Sequence, residues 1–369
     1  MNINKITFVF QSGRINRLNN SNEKFSKEFF YSYLDFKKEF TNVNIIEFSE
    51  KQNILNVMFK PIFKLARYVT TIPFYCEKII SFENIKTLRQ SENIIFTNQR
   101  VAFSTMPVML IMSIFKKRNT TVFIMGLFVN QSRNILRKYF REKFIILLLK
   151  TSTNIIFLSN GEKKFAEKNY PKYQEKMYFL PFPVDLKFWN KNSSKNNNKV
   201  LFIGNDGKRD YELVTNIARK MISYEFIFVS KQFKNINLPK NVKLYQGIWA
   251  DNEISDLKIR DIYAECFVSI IPLKDSIQPS GQSVALQSMS MKIPVIITKT
   301  KGFWEEEKFR DNKNIFFVMK NNIDNWEEKI SLVYSDKSLV RDVCESAYRT
   351  LIDNYTLEKF YSEFKKIIT

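Results

Sequence analysis

Residues Pro279–Thr298 read PSGQSVALQSMSMKIPVIIT and come five residues after the apolar run CFVSIIPL, Cys266–Leu273. A buried strand therefore ends in a small-residue turn at Ser280 and Gly281, and Ser280 is a suitable N-cap for a helix over Gln282–Met291. Lys292–Pro294 then leads into a second buried strand, Pro294–Thr298. Strand, tight turn and helix N-terminus together form an anion site, because free backbone N–H groups near Gly281, Gln282 and Ser283 face a ligand there. Ser283 and Gln287 stand one turn apart on one helix face, which directs one toward a phosphate and the other toward a ribose hydroxyl. The same pattern also describes an ordinary βαβ crossover with a capped helix.

Working outward, apolar strand-like runs alternate with helical patterns along the whole chain. Ile6–Phe10, Val43–Phe48, Asn93–Thr97, Thr121–Met125, Asn154–Ser159 and Met177–Leu180 read as strands in the first half. Helical stretches such as Ser26–Phe40 and Phe103–Phe115 lie between them. After a polar stretch, Asn190–Lys199, strands resume at Val200–Ile203, Phe226–Val229, Val242–Tyr245, Cys266–Pro272, Pro294–Thr298 and Ile315–Val318, and Ile323–Ile368 is helical. Such alternation predicts parallel sheets in an α/β fold. The 369 residues suit two domains.

Lys and Arg number 58 against 37 Asp and Glu, a net charge of +21. Such a surface attracts anions: nucleic acid, acidic lipid headgroups or phosphorylated small molecules. The chain has no histidine, so Ser-His-Asp and Cys-His catalysis and any His general base are excluded. Cys76, Cys266 and Cys344 are far apart in sequence and read as free thiols. Met1–Phe10 lacks the charged start and long apolar centre of a signal peptide, and no apolar run approaches the ~20 residues of a membrane span.

A second stretch, Val200–Tyr211 (VLFIGNDGKRDY), ends a strand at Gly204 and places Lys208 and Arg209 at the next helix start. Cations are unfavourable at a helix N-terminus unless an anion is near, so these two suggest a diphosphate clamp, with Arg209 bidentate. A solvated basic turn would read the same way.

Taken together, the two stretches resemble retaining GT-B glycosyltransferases of the family 4 type. That family has a Gly-ended strand followed by Arg or Lys, and later a turn-helix segment with the pattern Glu-(seven residues)-Glu-Ala-Met-Ala-x-Gly-x-Pro-Val. Here the segment reads LQSMSMKIPV, with Gln287 at the second glutamate. It is similar to a subgroup reading SGQ-x-x-x-LQAMAMGKPV, preceded by a GN/GRS-x-x-RDY turn. Ile155–Ser159 with Glu162, Phe182–Trp189 (FPVDLKFW) and Gly302–Trp304 with Glu305 match further pieces in order. The first glutamate falls at Pro279 or Gln278, Ile293 replaces the glycine of Gly-x-Pro, and the histidine of many relatives is missing.

The resemblance implies two Rossmann-like doubly wound domains facing across a cleft. It divides the chain into residues 1–182, which hold the acceptor, residues 183–350, which hold the nucleotide sugar, and a C-terminal helix over 351–369 crossing back. It implies Lys208 and Arg209 as the catalytic cations, and Gly204, Trp249, Gly281, Gln282, Ser283 and Gln287 as donor-binding residues. Trp249 also reads as a packing residue. Ser12, Gly13 and Arg14 follow the first strand and face the acceptor. The nucleotide sugar is a co-substrate, and no cofactor or metal is expected. The absence of an Asp-x-Asp triplet fits this. Glu305–Glu307 reads as a solvated helix start more readily than as a metal site.

Two basic apolar stretches, Ile54–Phe82 and Arg133–Lys150, suit an anionic membrane surface, although such helices also pack on sheets with their charges outward. The expected partners are thus a nucleotide-sugar donor, a glycan or lipid-linked acceptor and the inner face of the cytoplasmic membrane, in cell-surface polysaccharide synthesis. Two other functions compete: a GT-B-shaped subunit without catalysis, and a basic nucleic-acid-binding protein. Lysines spread along the chain, without a nucleic-acid motif, argue against the latter.

Overall fold

The computed structural model describes residues 5–20, 24–49, 54–129, 134–190, 198–233, 236–247 and 253–369. Trp249 and most of the polar stretch after Asn190 lie outside the described residues.

The first half holds strands β1 (Ile6–Phe10), β2 (Val43–Glu47), β3 (Asn93–Phe96), β4 (Asn119–Ile124), β5 (Asn154–Phe157) and β6 (Met177–Phe179). Its helices are α1 (Arg14–Asn19), α2 (Tyr33–Glu39), α3 (Ile54–Thr70), α4 (Phe82–Gln90), α5 (Gln99–Ser113), α6 (Ile135–Thr151) and α7 (Asn160–Asn169). In the second half, β7 (Lys199–Ile203), β8 (Glu225–Val229), β9 (Val242–Tyr245), β10 (Val268–Ile271), β11 (Val295–Thr298) and β12 (Phe316–Val318) form the sheet. The helices α8 (Tyr211–Lys220), α9 (Asp256–Ala264), α10 (Gln282–Ser290), α11 (Ile323–Ser335), α12 (Lys337–Asn354) and α13 (Leu357–Ile368) complete it.

Each half is one parallel six-stranded sheet, in the orders β2-β1-β3-β4-β5-β6 and β12-β11-β10-β7-β8-β9. Strands such as β10 (VSII) and β11 (VIIT) are buried throughout, because helices cover both faces of a parallel sheet. Each half accordingly carries two apolar clusters. One of them takes Phe360 and Phe364 of α13 against Phe8 and Phe123 of the first sheet. Strand order reverses beside β1 in the first sheet and beside β7 in the second, and those switch points are where doubly wound sheets open a crevice for ligands.

The expected helix over Ser26–Phe40 is not continuous. Tyr31 and Ser32 adopt left-handed conformations, with φ of 49° and 62°, so a short 3-10 turn at Glu28–Phe30 breaks off before α2 begins. Ser280 does not cap α10 either: Gly281 holds the cap position with φ of 84°, where a β-carbon is strained.

Candidate functional site

A cleft of about 650 Å³ runs between the two halves along the C-terminal ends of their strands. Gln11, Ser12 and Arg14 line it after β1, Phe48 after β2 and Arg100 after β3. Gly204, Asn205, Asp206 and Arg209 face them after β7, and Ser283 and Gln287 do so from α10.

Arg209 is the centre of the second wall. The loop that carries it lies along the end of β10: Arg209 forms an antiparallel bridge with Leu273, Asp210 N–H donates to Pro272 C=O at 2.9 Å, and Lys274 N–H donates to Lys208 C=O at 2.9 Å. This pairing brings the two sequence motifs together. Arg209 is 3% exposed, its Nε donates to Ile203 C=O at 3.2 Å, and its Nη1 pairs with Asp206 at 3.0 Å. The guanidinium lies where a side chain on Gly204 would stand, and it is in contact distance of the Gly281 position, where Ile271 is the nearer obstacle. A β-carbon on Gly204 would come within 2.8 Å of Arg209 Cγ, and one on Gly281 within 3.4 Å of Arg209 Nη1. Near the same turn, Ser280 Oγ and Gln282 Nε2 are buried with no hydrogen-bond partner among the described residues.

The other expected residues fall differently. Lys208 is half-buried, its N–H donates to Asp206 Oδ1 at 2.8 Å, and it does not line the cleft. Neither Lys208 nor Arg209 begins α8, because Asp210 caps it through its side chain. Gln282 is buried outside the cleft lining. Gln287 lines the cleft but is engaged: it accepts from the Tyr263 hydroxyl at 3.1 Å and donates to Glu28 Oε1 at 2.9 Å. Ser12 and Arg14 line the first wall, whereas Gly13 supplies the left-handed cap of α1. The N–H groups of Gly13, Arg14 and Ile15 point to the carboxylate of Glu47 at the end of β2. Burial lowers the Arg14 guanidinium to about 10, against Tyr31 and Glu47, which raise it.

Several contacts that close the cleft were not foreseen. Asp256 at the start of α9 accepts from Ser26 N–H at 3.0 Å and pairs with Arg17 at 3.5 Å. Glu28 accepts from Trp189 Nε1 at 2.8 Å as well as from Gln287. Burial drives the Glu28 carboxyl up to about 7, against the hydrogen bonds from Gln287 and Trp189 that hold it down. On the other side of the cleft, Asn160 N–H donates to Trp304 C=O at 2.9 Å. Gly126 leaves room for Gln278, whose Cδ would lie 2.7 Å from a β-carbon there. Trp189, Glu162, Gln278, Gln287 and Trp304, with Ser26 and Glu28 of the expected Ser26–Phe40 helix, belonged to segments noted in the sequence, whereas Arg17, Gly126 and Asp256 did not. Glu162 is buried, accepts from Gly126 N–H at 2.8 Å, and is raised by burial to about 7.

No protein-family model and no curated protein matches the chain. Solved structures do match its shape. Sucrose-phosphate synthase from Thermosynechococcus elongatus superposes with a TM-score of 0.69 at 12% identity, over 98% of each chain. Anabaena HepE in complex with UDP gives 0.67 at 12% identity, again over 98% of each chain. A glycosyltransferase from Rickettsia africae gives 0.66 at 15% identity, over 100% of this chain and 98% of that one. The chain has the GT-B fold. In this GT-B chain the Arg209 wall belongs to the second half and the Arg14 wall to the first.

Proposed function

We propose that the protein is a glycosyltransferase that moves a sugar from a nucleotide-sugar donor to a hydroxyl of a glycan or lipid-linked acceptor, with retention and without a metal ion. The observation that carries this is Arg209: a buried guanidinium at the switch point of the second sheet, seated between two glycines, with α10 beginning beside it. The solved structures of HepE with UDP and with UDP-glucose support a nucleotide sugar as the donor.

In this proposal Arg209 and the N–H groups of the Gly281 turn hold the diphosphate, while Gly204 lets the chain pass close to it. Ser283 and Gln287 face the same part of the cleft. The acceptor enters along Ser12 and Arg14 in the first half. The bond between the sugar carbon and the diphosphate oxygen breaks, the acceptor oxygen bonds that carbon on the same face, and the acceptor proton passes to the leaving diphosphate. Such a step needs no histidine: catalysis rests on orientation and on stabilising the charge of the leaving group.

The placement at a membrane rests on α3 and α6, which pack together. Their outer faces expose Met58, Ile62 and Leu65, and Ile135, Leu136 and Tyr139. Lys60, Lys64 and Lys138 are exposed among them. An apolar ridge set in cations suits the interface of an anionic bilayer, and with it a role in polysaccharide synthesis at the cytoplasmic face. Among the described residues, no helix is long and apolar enough to cross a membrane.

A panel of nucleotide diphosphates and nucleotide sugars in thermal denaturation, followed by turnover assays on those that bind, tests the proposal. A ligand at a hundred times its dissociation constant adds ~2.7 kcal/mol. The absence of any nucleotide effect would refute it. Binding without turnover would favour a non-catalytic subunit, a reading kept in view by Pro279 or Gln278, both uncharged, where the resemblance puts a glutamate.

A further inference from the structure

A second cavity, of about 330 Å³, opens at the opposite end of the first sheet, where the chain enters β4 and β5. Phe96, Met106, Met109, Leu110 and Leu148 line it from β3, α5 and α6. A water-sized group fills ~30 Å³, so the space takes a chain of roughly ten such groups. Methionines on α5 give it an adaptable wall.

The charged residues of its lining are all cationic. Lys116, Lys117, Arg118 and Lys150 line the mouth with no Asp or Glu among the lining residues, and none of the four forms an ion pair among the described residues. Arg118 is fixed in place, donating to the carbonyls of Lys116 at 2.7 Å and Arg89 at 2.8 Å. Lys176 joins the cluster, donating to Ser152 C=O at 3.0 Å. Burial and Lys117 both lower its pKa, as burial and Arg89 lower that of Arg118. Like charges gathered at one mouth raise the free energy of the unliganded protein and fall silent when an anion binds. Beside the mouth, Ile111, Ile114 and Phe115 are 62%, 78% and 85% exposed, an apolar lip on the approach.

We propose that this cavity binds a single-tailed anionic amphiphile, a fatty carboxylate or an alkyl phosphate, with its chain between α5 and α6 and its head on Lys116–Arg118 and Lys150. The site is separate from the cleft and independent of the transferase proposal.

The test is calorimetric titration of the full chain with dodecanoate and dodecyl phosphate, and with dodecyltrimethylammonium and dodecyl maltoside as head-group controls, all below their micelle-forming concentrations. The expected result is one site, at least tenfold tighter for the two anions. Met109→Trp should abolish binding by filling the half-buried wall. The exposed pair Lys117→Glu/Lys150→Glu should weaken it at least tenfold and carries the test should the tryptophan disturb folding. Arg209→Ala and Ile62→Ser should leave it unchanged. Equal affinity for the cationic and anionic probes, or full binding by the double charge variant, would overturn the proposal. So would loss of binding in Ile62→Ser, which would assign it to the α3–α6 ridge. Displacement of dodecanoate by lysophosphatidylglycerol, a single-tailed membrane lipid used below its micelle-forming concentration, would support the site with a membrane lipid as its ligand. Displacement by dodecyl phosphate alone would support it with a free amphiphile.

Discussion

Gln287 on α10 donates to the carboxyl of Glu28 at 2.9 Å, joining the two walls of the cleft through side chains 259 positions apart. The amide also accepts from Tyr263, so neither end of it is spare. Gln287→Ala should therefore lower stability by about 1–3 kcal/mol, the cost of stranding buried polar partners, as measured by urea denaturation. A nucleotide-affinity defect with unchanged stability would return Gln287 to a ribose-binding role alone.

Stability should also depend on pH in an unusual direction. Glu28 and Glu162 both sit near 7 in the folded protein, above the 4.5 of a free carboxyl. Between those values each of these two groups holds more proton in the native state than in the unfolded chain, so their contribution to stability is fullest below about 4.5 and is lost as pH rises toward 7. Urea midpoints taken across that range should decline for these two groups and flatten in Glu28→Gln with Glu162→Gln. A wild-type profile that rises through the same window would contradict it.

Removing the guanidinium that faces the proposed diphosphate should act on the chemical step. Arg209→Ala should cost ~2–4 kcal/mol in kcat/KM, the scale of one preorganised charge stabiliser. Steady-state kinetics on the true donor would show it, and unchanged turnover would remove Arg209 from the reaction.

Gly204→Ala separates position from identity. The backbone of Gly204 is not left-handed, and the nearest obstacles to a β-carbon all belong to Arg209. The variant should fold with a lowered thermal midpoint, because the displaced guanidinium leaves Ile203 and Asp206, and should lose turnover by a large part of the Arg209→Ala deficit. Normal kinetics would show that Arg209 tolerates the shift.

The ridge of α3 and α6 predicts salt-sensitive adsorption. The protein should sediment with anionic vesicles and not with neutral ones at low salt, less so as salt rises, and Ile62→Ser/Leu136→Ser should weaken this further. Equal sedimentation with both vesicle types would count against it.

Much of the fold was legible because parallel strands are apolar on both faces and their runs stand out. All twelve expected strands form, with ends displaced by a residue or two. The Gly204–Arg209 and Gly281 motifs were legible because each joins a strand end to a turn, and the fold places both at one switch point. Local pattern failed where backbone handedness decided the outcome, as at Tyr31–Ser32 and in the cap at Gly281. It failed too for Glu28, Glu47 and Asp256, whose partners lie in distant segments. Periodicity reports which face of an element is buried, but does not identify what meets that face.

The turn after β1 has the shape of a phosphate cradle, yet the Glu47 carboxylate already sits against its N–H groups. Under the proposed function, the two halves are therefore not interchangeable. A nucleotide offered to the first half meets a resident negative charge, so donor and product should exchange at a stoichiometry of one per chain. Excess nucleotide should then compete with the donor while leaving the acceptor's side open.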